Sequence, residues 1–469
     1  MAPTNFRISR RGLIKAAVAA GGGAALSACS SSTPRTAISS PVPTTAAYPS
    51  VPITRRKAGS LPHPALPAGK DTISEIDNVV ILMLENRSFD HLLGAMGRGD
   101  GLTMQGKTLE LAENSNPDGK GHRIKAFHLP TDCRLEAVPS QSWNQTHHAY
   151  DSGKMDGFIT NGSGPSAMGF YTSENVPFLW SLASTFPIND RFFASVMGPT
   201  FPNRRYLIAG TSNGLITDSL TGMIPPNGTI FDTLDKYSIS WKNYYTDFST
   251  LMLYSTPATK SASARFHINQ FYADAARGTL PAVSLVNPQF GLFGAAGDTS
   301  EGEGQDIQYG DDFLGRVVNA LMDGPKWAKT IFLLTYDEPG GYYDHVPPPA
   351  AVPPDSVAPQ LAPGDVRDGF DRFGLRVPMV LASPYAKSGY VSHAVADFTS
   401  FLAFIEAKWN LPALTDRDAN AHNLLDMLNF ANPAFATPPA LAKPPPVPAN
   451  HCATNSEGSL PPPDAVVAA

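Results

Sequence analysis

Positive charge is scarce in this 469-residue sequence. Lysine and arginine number 35 against 41 aspartates and glutamates, and the first 28 residues hold four of those cations and no acid, so a chain of −6 overall carries −10 beyond them. A body of that sign argues against binding to nucleic acid or to a strongly anionic membrane by bulk charge. Long apolar runs are also missing. The stretch from Ala16 to Ala25 is too short and too glycine-rich for a stable membrane-spanning helix. Cysteine is almost absent, with three in the chain, and no internal repeat is visible. The 42% apolar content, with 39 Gly and 44 Pro, still permits a large core in one large domain or two or three smaller ones.

The N-terminus reads as an address. Ser9-Arg10-Arg11-Gly12-Leu13-Ile14-Lys15 is a twin-arginine pattern, and the weakly apolar run behind it ends in Leu26-Ser27-Ala28-Cys29, which looks like a bacterial lipobox. A lipoprotein signal over 1–28 would leave Cys29 as a lipidated first residue, anchor the chain to a membrane, and place it in the periplasm or cell envelope. A plain cleaved secretory signal is the alternative, and it too takes the chain out of the cytoplasm. Cys133 and Cys452 remain, either as a disulfide in an oxidising compartment or as two buried thiols.

Residues 29–72 are rich in Ser, Thr, Pro and Ala with no apolar period, which predicts a disordered tether, and 431–469 repeat that character as a Pro-rich tail. The folded domain is expected over 73–430. Within it, short β-rich apolar runs alternate with helix-like stretches, as an α/β protein with a sheet covered on both faces requires. Strands are expected at Asn78–Leu84, Ile188–Val196, Ile239–Tyr244, Ala282–Val286, Thr330–Thr335 and Arg376–Ala382. Helices are expected at Phe178–Thr185, Asn203–Thr211, His267–Ala276, Asp311–Met322 and Asp397–Lys408.

Three strand exits carry chemistry. The run Val79–Leu84 ends abruptly in Glu85-Asn86-Arg87-Ser88-Phe89-Asp90-His91, and ligands gather at the carboxyl ends of such strands. Glu85 and Asn86 offer oxygen ligands for a hard divalent cation, or else they cap the next helix. Thr330–Tyr336 leads to Asp337-Glu338-Pro339-Gly340-Gly341-Tyr342-Tyr343-Asp344-His345. Adjacent carboxylates there repel unless a cation neutralises them; the bland alternative is an acidic surface turn. The third segment is Ser195-Val196-Met197-Gly198-Pro199-Thr200-Phe201-Pro202-Asn203-Arg204. Thr200 stands where a helix begins, either as its N-cap or as a hydroxyl beside N–H groups that favour a phosphate oxyanion.

These three segments, with Gly374-Leu375-Arg376-Val377-Pro378 and Leu414-Thr415-Asp416-Arg417-Asp418-Ala419, resemble the signatures of the phosphoesterase family that contains bacterial phospholipases C and respiratory-burst-inhibiting acid phosphatases. The resemblance spans most of 75–430 in order. It implies an alkaline-phosphatase-like α/β/α sandwich around a largely parallel sheet. It also implies one divalent metal ion held by Glu85, Asn86, Asp337, Glu338 and the nucleophile Thr200. An oxygen-rich set suits Ca²⁺, Mg²⁺ or Mn²⁺ and also accepts Zn²⁺. Catalysis would run through a phosphorylated Thr200. His345 would donate to phosphate or assist the leaving group, or simply stabilise its turn. Asn86, His345 and His147 would touch substrate, while Asn203 and Arg204 shape the helix start.

The chain departs from the family twice. Gln141 stands where a histidine usually precedes the Ser-Trp pair, here Ser142-Trp143, and Glu301-Gly302-Glu303-Gly304-Gln305-Asp306 replaces a His-Pro segment. Threonine as nucleophile resembles the phospholipase C branch, whereas the acid phosphatases commonly use serine. The substrate expected is a phosphoester, with phospholipid one candidate. A phosphomonoesterase, a catalytically weakened surface binding protein and a sulfatase-like hydrolase are the rival readings.

Overall fold

Asn-Val-Val-Ile-Leu-Met-Leu at Asn78–Leu84 has no polar residue after its first position, so it suits a strand covered on both faces; it forms β1, buried throughout. The computed structural model describes residues 55–105, 109–129, 131–133, 139–291, 298–301, 306–444, 446–447 and 461–469. The expected signal at 1–28, Cys29, Cys452 and most of the expected tether lie outside these residues. Cys133 is buried and disulfide-bonded.

Strands follow in chain order as β2 (Leu111–Pro117), β3 (His122–His128), β4 (Gly169–Phe170), β5 (Ile188–Asn189), β6 (Trp241–Tyr245) and β7 (Arg265–His267). Then come β8 (Val283–Val286), β9 (Thr330–Tyr336), β10 (Met379–Ala382), β11 (Val391–Ser392) and β12 (Val466–Ala468). Eight of them make the main sheet in the order β11-β5-β10-β9-β1-β8-β6-β7. Its pairs are parallel except where β10 runs against β9 and β5. The helices used below are α1 (Phe89–Leu92), α2 (Trp143–Tyr150), α3 (Pro177–Thr185), α4 (Thr200–Ala209) and α5 (Ile230–Lys236). They continue with α6 (Pro257–Lys260), α7 (Ile268–Arg277), α8 (Gln308–Met322) and α9 (Thr399–Trp409). Helices α3 and α7 pack on α8, while α5 and α9 pack on α4. With β1 and β9 buried at every position, this is an α/β fold with helical layers about a largely parallel sheet, as the alternating pattern predicts. Among the described residues no helix is long and apolar enough to cross a membrane.

The strand expected over Ile188–Val196 is cut to Ile188–Asn189. Asn189 Oδ1 accepts the Arg191 N–H at 2.7 Å, which turns the chain. Asp190 is fully buried, and beyond it only isolated bridges form, Phe192 to Ala396 and Phe193 to Arg376. A second sheet, β12-β3-β2 with β4 beside β3, was not expected. Its strand β2 reads Leu-Ala-Glu-Asn-Ser-Asn-Pro, too polar to signal a strand by pattern.

The folded body also begins earlier than residue 73. Gly59 N–H donates to Ala413 O at 2.7 Å and Thr72 N–H to Lys408 O at 2.7 Å. Asn410, the left-handed C-cap of α9, accepts from His63 N–H at 2.9 Å and donates to the His63, Leu66 and Pro67 carbonyls. At the other end, Val466–Ala468 pairs antiparallel with β3. Replacing Asn410 by Ala is expected to lower stability by about 4 kcal/mol, near 1 kcal/mol for each of the four lost bonds, measured by urea unfolding. It should also expose residues 55–72 to limited proteolysis ahead of the rest; unchanged cleavage would show that this segment is held elsewhere.

Candidate active site

Register alone brings two acids together. In the parallel pair β1 and β9, Leu84 faces Tyr336, so Glu85 and Asp337 leave the sheet from strands about 4.8 Å apart. Asp337 N–H still donates to Leu84 O at 3.2 Å. Asn86 then takes a left-handed φ of 63°, which asparagine tolerates better than most residues. Its N–H donates to Asp337 Oδ1 at 3.1 Å, and Glu338 N–H reaches the same oxygen at 2.9 Å. Neither Glu85 nor Asn86 caps α1: Ser88 does so, accepting the His91 N–H at 3.1 Å. Nor are Asp337 and Glu338 a surface turn, since both are fully buried.

Thr200 arrives from the third exit. Asn203 pins the turn ahead of it, accepting from Val196 N–H at 3.1 Å and donating to the carbonyls of Val196, Gly198 and Pro199. Helix α4 starts at Thr200 with Pro199 in the cap position, so the threonine is not the N-cap. Its Oγ1 instead lies 3.5 Å from a terminal carboxamide atom of Asn86. That same atom is 2.5 Å from Glu338 Oε1 and 3.3 Å from Asp337 Oδ1. As nitrogen it donates to both carboxylates; as oxygen it completes an all-oxygen cluster that a cation would hold together.

Arg204 sits one turn after Thr200, on the same face of α4. Its Nε donates to Asp337 Oδ2 at 3.0 Å and its Nη2 lies 3.4 Å from Glu85 Oε1, with further bonds to the Met83 and Leu84 carbonyls. The guanidinium stacks 4.8 Å over Phe290, and Glu85 also accepts Ser300 Oγ at 3.0 Å. The sequence assigned Arg204 only to shaping the helix start; the structure makes it the counter-ion of two acids, and its i, i+4 spacing from Thr200 was the available signal. Burial, eased by Arg204 and worsened by Asp337, holds the Glu85 carboxyl well above the usual carboxylate range. Burial also raises Asp337 against the pull of Arg204. Glu338 is held well above its range by burial and then by the charge of Asp337. Two fully buried acids and the partly exposed Glu85 beside one arginine leave a negative surplus that fits a divalent cation. Direct contacts gather Thr200, Asn86, Asp337 and Glu338, and Glu85 joins them through Arg204.

Two further groups border the cluster. Asp218 Oδ1 accepts the Phe201 N–H at 2.7 Å, so this part of the α4 terminus, expected to receive a phosphate oxyanion, already serves a carboxylate. Asn86 Nδ2 reaches Gln141 Oε1 at 3.4 Å, which puts the position of the missing histidine beside the cluster. Residues 302–305, in the segment of the other missing histidine, lie outside the described residues.

The expected histidines are engaged elsewhere. His147 is buried, with Nδ1 at 2.6 Å from Trp143 O and Nε2 at 3.0 Å from Asp368. His345 has Nδ1 at 2.7 Å from Asp90 and Nε2 at 3.2 Å from Asp100. Asp90, Asp344 and His345 offer ligand atoms within 4.8 Å of one another, a grouping that could hold a metal ion. Arg376 already supplies positive charge there, 3.0 Å from Asp90 and 2.8 Å from Asp344. Burial opposes charge on His345, yet the hydrogen bond and field of Asp90 win and push its pKa up to about 9.

Because that value lies above the ordinary 6.5, the stabilisation from protonated His345 is complete below pH 6.5 and is lost as pH rises through about 9. The melting-temperature gap between wild type and His345→Gln should therefore narrow from pH 6 to pH 10; a gap independent of pH would refute a charged imidazole. Gly340 has φ 66°, and a Cβ there would stand 2.1 Å from Asn86 O. Gly340→Ala should cost at least about 2 kcal/mol in urea unfolding, and a neutral result would mean this turn is not tightly set.

Comparison with known proteins supplies the family. The chain is 32% identical to a protein named non-specific phospholipase C1 from Arabidopsis thaliana over 377 residues, 73% of this chain and 69% of that one. It is 30% identical to phospholipase C B of Mycobacterium tuberculosis, covering 79% of this chain and 81% of that one. It is 29% identical to the non-hemolytic phospholipase C of Pseudomonas aeruginosa, covering 79% and 60%. A solved structure of a protein in the alkaline phosphatase superfamily from Vibrio parahaemolyticus is similar at 12% identity and TM-score 0.37, over 76% of this chain and 72% of that one. The pattern of the Phosphoesterase family matches residues 76–412, so the chain belongs to that family and is a hydrolase of phosphoester bonds.

Proposed function

We propose that this chain is an exported, metal-dependent phospholipase C-like enzyme whose nucleophile is Thr200. One observation supports the reading above others: the Thr200 hydroxyl, free of any capping duty, faces Asn86 and through it the Asp337 and Glu338 carboxylates. A divalent cation bound by Glu85, Asn86, Asp337, Glu338 and Thr200 would favour the threonine alkoxide and screen phosphate charge. The alkoxide oxygen attacks phosphorus in line, the O–P bond to the lipid alcohol breaks, and the departing oxygen takes a proton. Water then attacks phospho-threonine and returns the hydroxyl. Arg204 holds Asp337 and Glu85 in place through both steps. His345 and His147, held by Asp90 and Asp100 and by Asp368, support the surrounding loops, and Gln141, beside Asn86, is the candidate neighbour of the bound phosphate.

Thr200→Ala is expected to reduce turnover by about 10³-fold or more while melting within a few degrees of wild type. Chelation should abolish turnover, and add-back of Ca²⁺, Mg²⁺, Mn²⁺ or Zn²⁺ should name the ion. Because the carboxyl pKa values lie high, binding must displace protons, so cation affinity should rise with pH from 5 to 7. Phosphatidylcholine and a generic phosphomonoester, assayed in parallel, separate the phospholipase from the acid-phosphatase reading. Failure of the metal-loaded protein to turn over either would favour a surface binding role. Export by the twin-arginine route and a lipid on Cys29 belong to the same reading: Arg10→Lys with Arg11→Lys should retain precursor in the cytoplasm, and mass analysis of the mature N-terminus should show the acylated cysteine.

A further inference from the structure

Nine large apolar side chains are exposed among the described residues, and five of them stand on segments joined to the Thr200 turn: Leu220, Ile224, Met252, Leu361 and Val366. Scattered exposed apolar residues need no explanation; several on adjoining segments do.

The loops are joined through named contacts. Gly198, two residues before Thr200, faces the Trp143 ring and the Ile216 carbonyl at about 4 Å from where a Cβ would stand. Trp143 Nε1 donates to Val366 O at 2.9 Å, and Gln360 N–H donates to Gly214 O at 2.8 Å. On the other side Arg205 of α4 donates to Ser219 O at 2.7 Å, Thr221 O at 3.1 Å and Leu253 O at 2.5 Å. Met223 N–H donates to Leu253 O at 3.1 Å and Met223 O accepts Ser255 N–H at 2.8 Å, which sets Ile224 beside the turn carrying Met252. Leu220, Ile224 and Met252 are 51%, 67% and 51% exposed. Phe201, next to Thr200, stacks on Phe248, which meets Phe290 edge to face.

Charge selects the occupant. From Thr211 to Gly228 the one charged residue is Asp218, and from Phe248 to Thr259 there is none. These two segments carry no cation, so a nucleic acid, an acidic protein or an anionic membrane would find no complementary charge on them, whereas an apolar rim whose one carboxylate accepts the Phe201 N–H fits a zwitterionic bilayer. Thr200 is only 7% exposed, so a headgroup must be brought down to it.

We infer that the rim carrying Leu220, Ile224 and Met252 docks into a zwitterionic phospholipid bilayer and presents the Thr200 site to headgroups; this rests on the phospholipase reading above. The test uses the full chain with Cys29→Ser, so that no acyl anchor masks the effect, and a triple variant with Leu220→Ser, Ile224→Ser and Met252→Ser. Binding is measured by co-sedimentation with phosphatidylcholine vesicles. Turnover is measured on those vesicles and on dihexanoyl phosphatidylcholine below its micelle concentration. The triple variant should lose at least tenfold in vesicle binding and vesicle turnover, yet keep its rate on monomeric lipid within twofold, which also shows that it folds. Leu66→Ser with Val395→Ser, exposed elsewhere, should change neither.

Equal vesicle binding by parent and triple variant overturns the proposal, as does a parent that binds no vesicles. So does a parent that binds no vesicles but self-associates through this rim and becomes monomeric when it is changed. If the parent hydrolyses neither form of phosphatidylcholine while its vesicle binding still depends on the three residues, the substrate reading fails and the docking face stands. Hydrolysis of both forms, unaffected by the triple change, removes the docking face alone.

Discussion

The site depends on one electrostatic constraint: three carboxylates meet at adjoining strand exits, Asp337 and Glu338 fully buried, with one arginine to balance them. Strand register forces Glu85 and Asp337 to leave the sheet side by side, and the next peptide adds Glu338. Arg204 answers Glu85 and Asp337, and the Glu338 oxygens find a glycine N–H and the Asn86 carboxamide. Burying like charges is tolerable only when something cationic shares the space. Thr200 is carried to the same point by a helix whose entrance Asn203 ties down with its own side chain. The cluster is therefore a solution to a charge problem posed by the sheet.

A second buried network keeps the first in shape. Asp90 follows the β1 exit, Asp344 and His345 follow the β9 exit, and Arg376 comes from the segment before β10. Their mutual bonds join the far ends of the two motifs whose near ends hold the acids. Arg376 also donates to the Asp100 and Asp190 carbonyls and lies over Phe89 at 4.5 Å. The tails of both motifs are thus a clamp, and its interior is charge-balanced in a way the pocket of Glu85 and Glu338 is not.

Much of this was legible in the sequence where one pattern dominated. Asn78–Leu84 and Thr330–Tyr336 are unbroken apolar runs ending in acids, so both their strand character and their chemistry show. Thr200, preceded by Gly198-Pro199 and followed by Pro202, announces a helix start. What stayed hidden depends on partners distant along the chain. Arg204 looks like any helical arginine until Asp337 stands beside it, and Asp218 lies in a loop with no motif of its own. Strand β2 is polar because its sheet is small and half open to water. The truncation of β5 follows from an Asx turn whose strength depends on contacts from Ala394 and Ser392. The expected boundary at residue 73 missed 55–72 because a Pro- and Thr-rich stretch held by backbone bonds to α9 carries no apolar period.

That early start of the folded body shortens the leash. Under the proposed lipidation of Cys29, the 27 residues from Cys29 to Arg55 would separate the acyl group from the domain, and a fully extended polypeptide of that length reaches at most about 97 Å. An enzyme fixed in this way would patrol a shallow layer over a single leaflet, and its encounters with lipid would be governed by tilt and rotation in place of three-dimensional search.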